Sequence, residues 1–310
     1  MKLKKTKNIR WFLIFFITPA LIIYLGIMIF PLFNSVYLSL RVGATFFPEE
    51  FVGFQNYIDL FTKYPYIDRL TNAFLNTLKL FAASTILVNL GGFSIALLVT
   101  KKFKGVVFFR RLSFLPVIIS VLVVGYIFTR VFSPKLGIID PFLRFVGLDF
   151  LIRAWLTSEK LTLYVIACVN AWQSIGIPVL LYSAGIDGID KDILEAASID
   201  GGTELQKIRY IIAPLLKPIF RTVLILNFIG IFTGFEVVYA MTGGYAGAGG
   251  ANFSSDIVGT LFYRAAFASP IMGGWGIGMG ATVATVTFVF LTVGTLIIMG
   301  LFNIKRREIR

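Results

Sequence analysis

DKDILEAASIDGGTELQKIRYIIAPLLKP, residues 190–218, is a charged, helix-breaking insert between two apolar segments that are each long enough to cross a bilayer. Asp190 suits a helix N-cap, and Gly201 with Gly202 marks a helix end. Thr203 and Gln206 have the S/T-x-x-E/Q spacing that opens a second helix, which Pro214 and Pro218 then limit. The expectation is two short helices meeting at a glycine corner. They carry Asp192, Glu195, Asp200, Glu204, Lys207 and Arg209 as a compact charged knob for a partner outside the membrane.

The rest of the chain supplies that membrane. Hydrophobic residues make up 57% of the sequence and charged ones 15%, with a mean hydropathy of +0.85. An ordinary soluble domain is about a quarter charged. Six runs reach the length of a transmembrane helix: roughly 11–35, 78–100, 112–132, 161–183, 219–242 and 277–303. The class expected is therefore an all-α polytopic membrane protein of six spans, with the first at the periphery and the last five forming the core. The first run follows a basic tail but is too long, and too poor in a small-residue cleavage site, for a signal peptide, so it reads as a retained helix.

The net charge of +13 follows topology and gives no sign of nucleic-acid binding. The N-terminal tail, residues 101–111 and the C-terminal tail together hold fourteen basic residues against one acidic, all on one side if six spans alternate. That bias places both termini in the cytoplasm. The opposite loops, 41–71, 133–160 and 243–276, balance at eight basic and eight acidic residues. On the basic side only the insert departs from the trend, with five basic and six acidic residues over 186–221. Lys101 to Arg111 reads as a topology determinant beside anionic lipid. Cys168 is alone and suggests neither a disulfide nor a metal cluster.

Six spans admit a transporter subunit, a secondary carrier or a membrane enzyme. The chain has no histidine, no paired carboxylates or metal-ligand spacing within the spans, and no G-x-x-x-x-G-K-[ST] phosphate loop. If ATP drives it, another chain must hold the nucleotide. Intramembrane charges that would couple an ion gradient are few: Lys79 and Arg130 can snorkel to the outer interface, and Glu236 lies deeper. Gly230 with Gly234 and Gly276 with Gly280 have the G-x-x-x-G spacing of close helix packing.

Glu195, Ala196, Ala197, Asp200, Gly201 and Pro214 resemble the E-A-A signature of permease subunits of bacterial binding-protein-dependent ABC importers, with Gly202 where alanine is usual and Ala213 where leucine is usual. ITPALIIYLGIMIFPLFNSVYLSL, VGFQNY at 52–57, NTL at 76–78 and FLP at 114–116 are similar to the sugar-importer branch. FEVVYAMTGG at 235–244 and LFYRAAF at 261–267 resemble one of its two permease types, with Glu236 in place of the usual aspartate and an extended loop GGYAGAGGANFSS.

The resemblance implies a type I ABC importer permease fold and no enzyme activity in this chain. It divides the chain into an N-terminal tail, first helix and outer loop over 1–70, a permease core over 71–303 with its docking loop at 186–218, and a basic tail at 304–310. The implied partners are a second homologous permease, two ATPase subunits that bind ATP and Mg, and an extracytoplasmic solute-binding protein. The implied setting is the bacterial cytoplasmic membrane, and the implied cargo a carbohydrate, most in keeping with an oligosaccharide. Alternatives are a polyol or glycerol phosphate ester permease, or an ion-coupled carrier. The ATPase-docking residues it implies are Glu195, Ala196, Ala197, Asp200, Gly201, Glu204 and Pro214.

For the substrate path, the fourth span offers Asn170, Trp172 and Gln173, and the fifth Asn227, Thr233, Glu236 and Tyr239. Rings stack on sugar C–H faces while amides and carboxylates bond hydroxyls. The same side chains can equally hydrogen-bond neighbouring helices, or anchor at an interface.

Overall fold

The computed structural model describes residues 15–43, 50–101, 104–134, 136–243, 250–268 and 274–303. The basic tails and residues 244–249 of the glycine-rich stretch lie outside the described residues. Among the described residues the chain is helical apart from loops and one two-residue strand pair, β1 (Arg41–Val42) with β2 (Glu50–Phe51).

Three helices among the described residues are long and apolar enough to cross a membrane: α1 (Phe15–Ser39), α3 (Tyr66–Val99) and the last, α14 (Ile277–Asn303). Between α1 and α3 lies the short α2 (Gln55–Thr62). Three bent pairs pass the same test together, which gives six crossings when each pair counts once. α1 packs along α14 at the periphery, and its apolar surface is bare.

The third apolar run was expected as one helix over 112–132. Instead α4 (Val106–Ile118) and α5 (Val121–Val131) meet at 97°. Pro116 removes the amide that would bond Leu112, and Ile119 is extended (φ −77°, ψ 135°), so the helix ends and restarts at Ser120. α6 (Ile139–Phe145) follows in the next loop. The fourth run likewise divides into α7 (Thr162–Ser174) and α8 (Gly176–Asp187), bent by 51°, where Pro178 lacks the donor for Ser174.

After the elbow helices α9 (Lys191–Ile199) and α10 (Glu204–Leu215), α11 (Lys217–Thr233) forms the fifth crossing. It stops at Gly234, short of the expected 242, and α12 (Glu236–Met241) is a separate helix. α13 (Val258–Phe267) then leads to α14. The glycine spacings give close packing at one position of each pair: Gly280 sits against α13 with Ala266 where its Cβ would be, and the Gly234 carbonyl, in the break, lies against Gly259 of the same helix, while Gly230 faces open space.

α3 is the organising element. Its 34 residues span about 51 Å, well beyond a hydrocarbon core of about 30 Å. Its middle carries a polar seam in which Ser84 donates to Asn170 (3.2 Å), Asn227 donates to Thr85 (2.7 Å) and Tyr182 donates to Asn89 (2.6 Å). In an apolar surround these bonds fix which helix faces meet.

The N-terminal turns of α3 hold a strap, residues 250–257. Asn72 donates to the Phe253 carbonyl at 2.7 Å, Asn76 to that of Asp256 at 3.1 Å, and the Thr77 hydroxyl accepts from Val258 N at 2.9 Å. Within the strap Asp256 is fully buried and paired with Arg264 of α13 at 2.5 Å, and the Thr260 hydroxyl donates to the same carboxylate at 2.6 Å. The guanidinium groups of Arg69 and Arg264 both stand over the Phe253 ring, at 3.4 and 4.7 Å.

Candidate functional site: an elbow beneath a polar cavity

The insert folds as its local chemistry dictates. Asp190 accepts from Asp192 N at 3.1 Å to cap α9. Gly201, at φ +78°, adopts the left-handed turn that only glycine takes freely, and Gly202 N returns to the Ala197 carbonyl at 2.9 Å. Thr203 and Gln206 form a reciprocal capping box on α10. Pro214 lies inside α10 and does not end it: a wide turn over Ile208–Ile212 absorbs the missing donor, and the chain bends by 65° at Leu216, with Pro218 in the first turn of α11.

Glu195, Ala196, Asp200, Gly201, Glu204 and Pro214 are exposed, and Ala197 is half-buried against the corner. Glu204 is already engaged within the chain, by Lys207 and by Lys101 at 3.6 Å. Lys207 beside it holds its carboxyl below the usual range, helped by Lys101. Sequence reasoning, tuned to charge, missed Ile199 and Leu205, which are 86% and 74% exposed and flank the corner. Two large apolar side chains bared at one tight turn give the knob a greasy tip within a charged rim.

The elbow's underside is apolar. Ile212 and Leu216 pack into a cluster with Val88, Ala96, Ala171, Tyr182 and Val223, joined by Leu181, Leu194 and Ile208. Above this cluster lies a cavity of about 350 Å³, within the usual range for a small-molecule site. Its walls include Leu80, Val121, Ile166, Ile231 and Val238, and its polar lining comes from Asn170, Gln173, Ser174, Asn227 and Glu236. Val88, Leu181 and Val223 belong both to the cavity wall and to the packing beneath the elbow.

Asn170 and Gln173 reach the cavity together because three residues bring side chains to one helical face. Trp172 turns away, lining a separate apolar groove with Ile95, Leu98 and Ile175 and meeting Phe128 edge-on at 5.3 Å. Thr233 is exposed outside the lining and bonds the Ile229 carbonyl, and Tyr239 packs on Phe235 and Tyr263. Glu236 opens α12 with one carboxylate oxygen accepting from Phe235 N at 3.0 Å, so the break at Gly234 is what places it at the cavity. Asn170 and Asn227 serve both expected purposes, lining the cavity and bonding α3.

Residues 88–308 match the family described as "binding-protein-dependent transport system inner membrane component". A probable ABC transporter permease protein of Bacillus subtilis, YurN, is 32% identical over 94% of this chain and 96% of its own length. The multiple sugar-binding transport system permease protein MsmF of Streptococcus mutans is 31% identical over 87% of this chain and 89% of its own. A crystal structure of the bacterial alginate ABC transporter, in complex with an alginate pentasaccharide-bound periplasmic protein, superposes with a TM-score of 0.77 over 100% of this chain and 98% of that one, at 22% identity. That likeness bears on the fold. With the family match over most of its length, this chain belongs to the inner membrane components of binding-protein-dependent transport systems, as a multi-pass ABC permease subunit.

Proposed function

We propose that this permease carries a carbohydrate, an oligosaccharide in size class, across the cytoplasmic membrane in an ATP-driven importer with two further kinds of subunit. Two partner ATPases bind ATP and Mg and seat on the elbows of this chain and of a second, homologous permease. An extracytoplasmic solute-binding protein delivers the cargo at the opposite face, and both termini lie in the cytoplasm. The name of the streptococcal relative, and the periplasmic protein bound to the alginate transporter, support the cargo class and the delivery step.

The observation that carries the coupling is the shared wall. Val88, Leu181 and Val223 pack on the elbow from one side and line the cavity from the other. Displacing α10 as the ATPases close therefore repacks the cavity, because close-packed interiors transmit strain. The cavity suits sugar in having amide donors and acceptors and one carboxylate set in apolar walls. Glu195, Asp200 and the Ile199–Leu205 tip form the docking face in this reading.

The test is purification of the tagged chain from its native membrane in mild detergent, identification of the chains that accompany it, and reconstitution of that complex in vesicles. The expected result is a second permease and an ATPase, with uptake of radiolabelled oligosaccharide that requires ATP on the elbow side and added binding protein. Uptake by the chain alone, driven by an ion gradient, would replace this reading with a secondary carrier.

A further inference from the structure

Two short helices at the end of the molecule opposite the elbow share a feature that the transport path does not use. On α2 and its first cap, Phe54, Ile58 and Phe61 are all bare, at 72%, 53% and 51% exposed. On α6 and its cap, Ile138, Phe142 and Phe145 are bare at 66%, 61% and 87%. Both triplets have the i, i+4, i+7 spacing of a single helical face.

The opposite faces are anchored. Asn56 is buried and donates to the carbonyls of Ser39 and Arg41 at 2.8 and 2.9 Å, while Leu60 is fully buried. Asp140 is buried and accepts from the Trp155 indole at 2.8 Å. The apolar faces thus point outward because the polar ones are tied inward, and no rotation of either helix can hide them.

We infer that α2 and α6 lie flat in the outer leaflet, with these two faces sunk to the boundary between acyl chains and headgroups. Three observations select phospholipid as the occupant. Each helix follows, in chain order, a span whose own surface is bare and apolar near its outer end, at Phe33 and Tyr37 on α1 and at Tyr126 and Ile127 on α5. α6 carries and precedes cations suited to lipid phosphate, Arg144 and Arg153, whereas Lys63 after α2 is paired with Asp59 at 2.9 Å. Two separate segments carry the same spacing at the same end of the molecule, as a lipid plane requires of every element that meets it. The two helices make a collar that fixes the depth of the outer ends of spans one and three, and so of the outer mouth, against the bilayer.

The test labels Phe61→Cys and Phe145→Cys separately with bimane in a Cys168→Ala background, in the complete transporter, within vesicles of phosphatidylcholine and phosphatidylglycerol whose acyl chains are brominated near the headgroup. A glutathione–bimane adduct free in the aqueous phase is the control. Bromolipid is expected to quench both collar labels at least about twofold more than the control, with reduced quenching by aqueous iodide. Quenching equal to the control overturns the proposal. So does a label that bromolipid cannot reach and that adding the solute-binding protein shields from iodide, which would mark a protein-docking face. A label silent to both quenchers overturns it too, in favour of burial against the second permease.

Discussion

The elbow and the strap hold the same kind of ion pair in opposite settings. At the elbow, Glu204 meets Lys207 and Lys101 in the open, with the carboxylate 65% exposed. At the strap, Asp256 is wholly buried, Arg264 nearly so, and Thr260 and the Phe253 ring complete their surround. Burial pushes the Asp256 carboxyl up, against the pull of Arg264, Thr260 and Arg69. Exposed charges can exchange partners at little cost, because water replaces whatever is lost. Buried ones cannot, since an abandoned charge has nothing to solvate it. One end of the permease therefore keeps its charges free to re-pair, and the other commits them to a fixed shape.

The sharpest way to break this contrast is Asp256→Ala, which strands the Arg264 guanidinium in the interior. A loss of about 3–5 kcal/mol is expected, read as a large fall in the Tm of the detergent-purified complex. Asp256→Ala with Arg264→Met should recover much of it, because the second change removes the orphan charge. A Tm unmoved by the single change would place the pair outside the folding core. Next comes Glu195→Lys at the elbow, for which insertion and Tm should match the parent while uptake falls tenfold or more and the ATPase is lost on purification. Uptake equal to the parent's would remove Glu195 from the docking face.

The smallest effect is expected from Glu204→Gln, a stability change of at most about 0.5 kcal/mol. With its folded pKa held down, Glu204 contributes its stabilisation above the ordinary carboxylate range and loses it as the pH falls through the lowered value. The variant should therefore differ from the parent at neutral pH and converge with it in acid. A difference that grew on acidification would reverse the assigned sign.

The elbow was readable from sequence because its determinants are local. Asp190, Gly201 and the Thr203–Gln206 box act within three residues of themselves. The spans were readable because apolar runs are long, but run length says nothing about direction. A run that stays apolar across Pro116 or Pro178 looks continuous while the helix turns. The first turns of α3, with Asp68, Arg69 and Asn72, fall below any apolar threshold, and their helix is held by contacts to the strap about 180 residues away.

Asp256 and Arg264 are eight residues apart with a helix start between them, a spacing that carries no signal until the strap folds back. In the substrate path, periodicity paired Asn170 with Gln173. It also separates Trp172, two residues and about 200° from Asn170, a rotation that the shared span obscured. Glu236 reaches the cavity through a break in the fifth crossing that its apolar run does not reveal.

α3 joins the two ends directly. Asn72 and Asn76 at one end grip the strap, and Lys101, two residues past the other, reaches Glu204 of the elbow. A straight rod about 51 Å long that pivots at its midpoint through about 5° displaces its two tips by about 2 Å each, in opposite senses. Such a seesaw needs no relay of side chains to know which mouth to open. In such a rod the sign of each tip's displacement would be set by geometry alone, and the two excursions would exclude one another as the two halves of a single stroke.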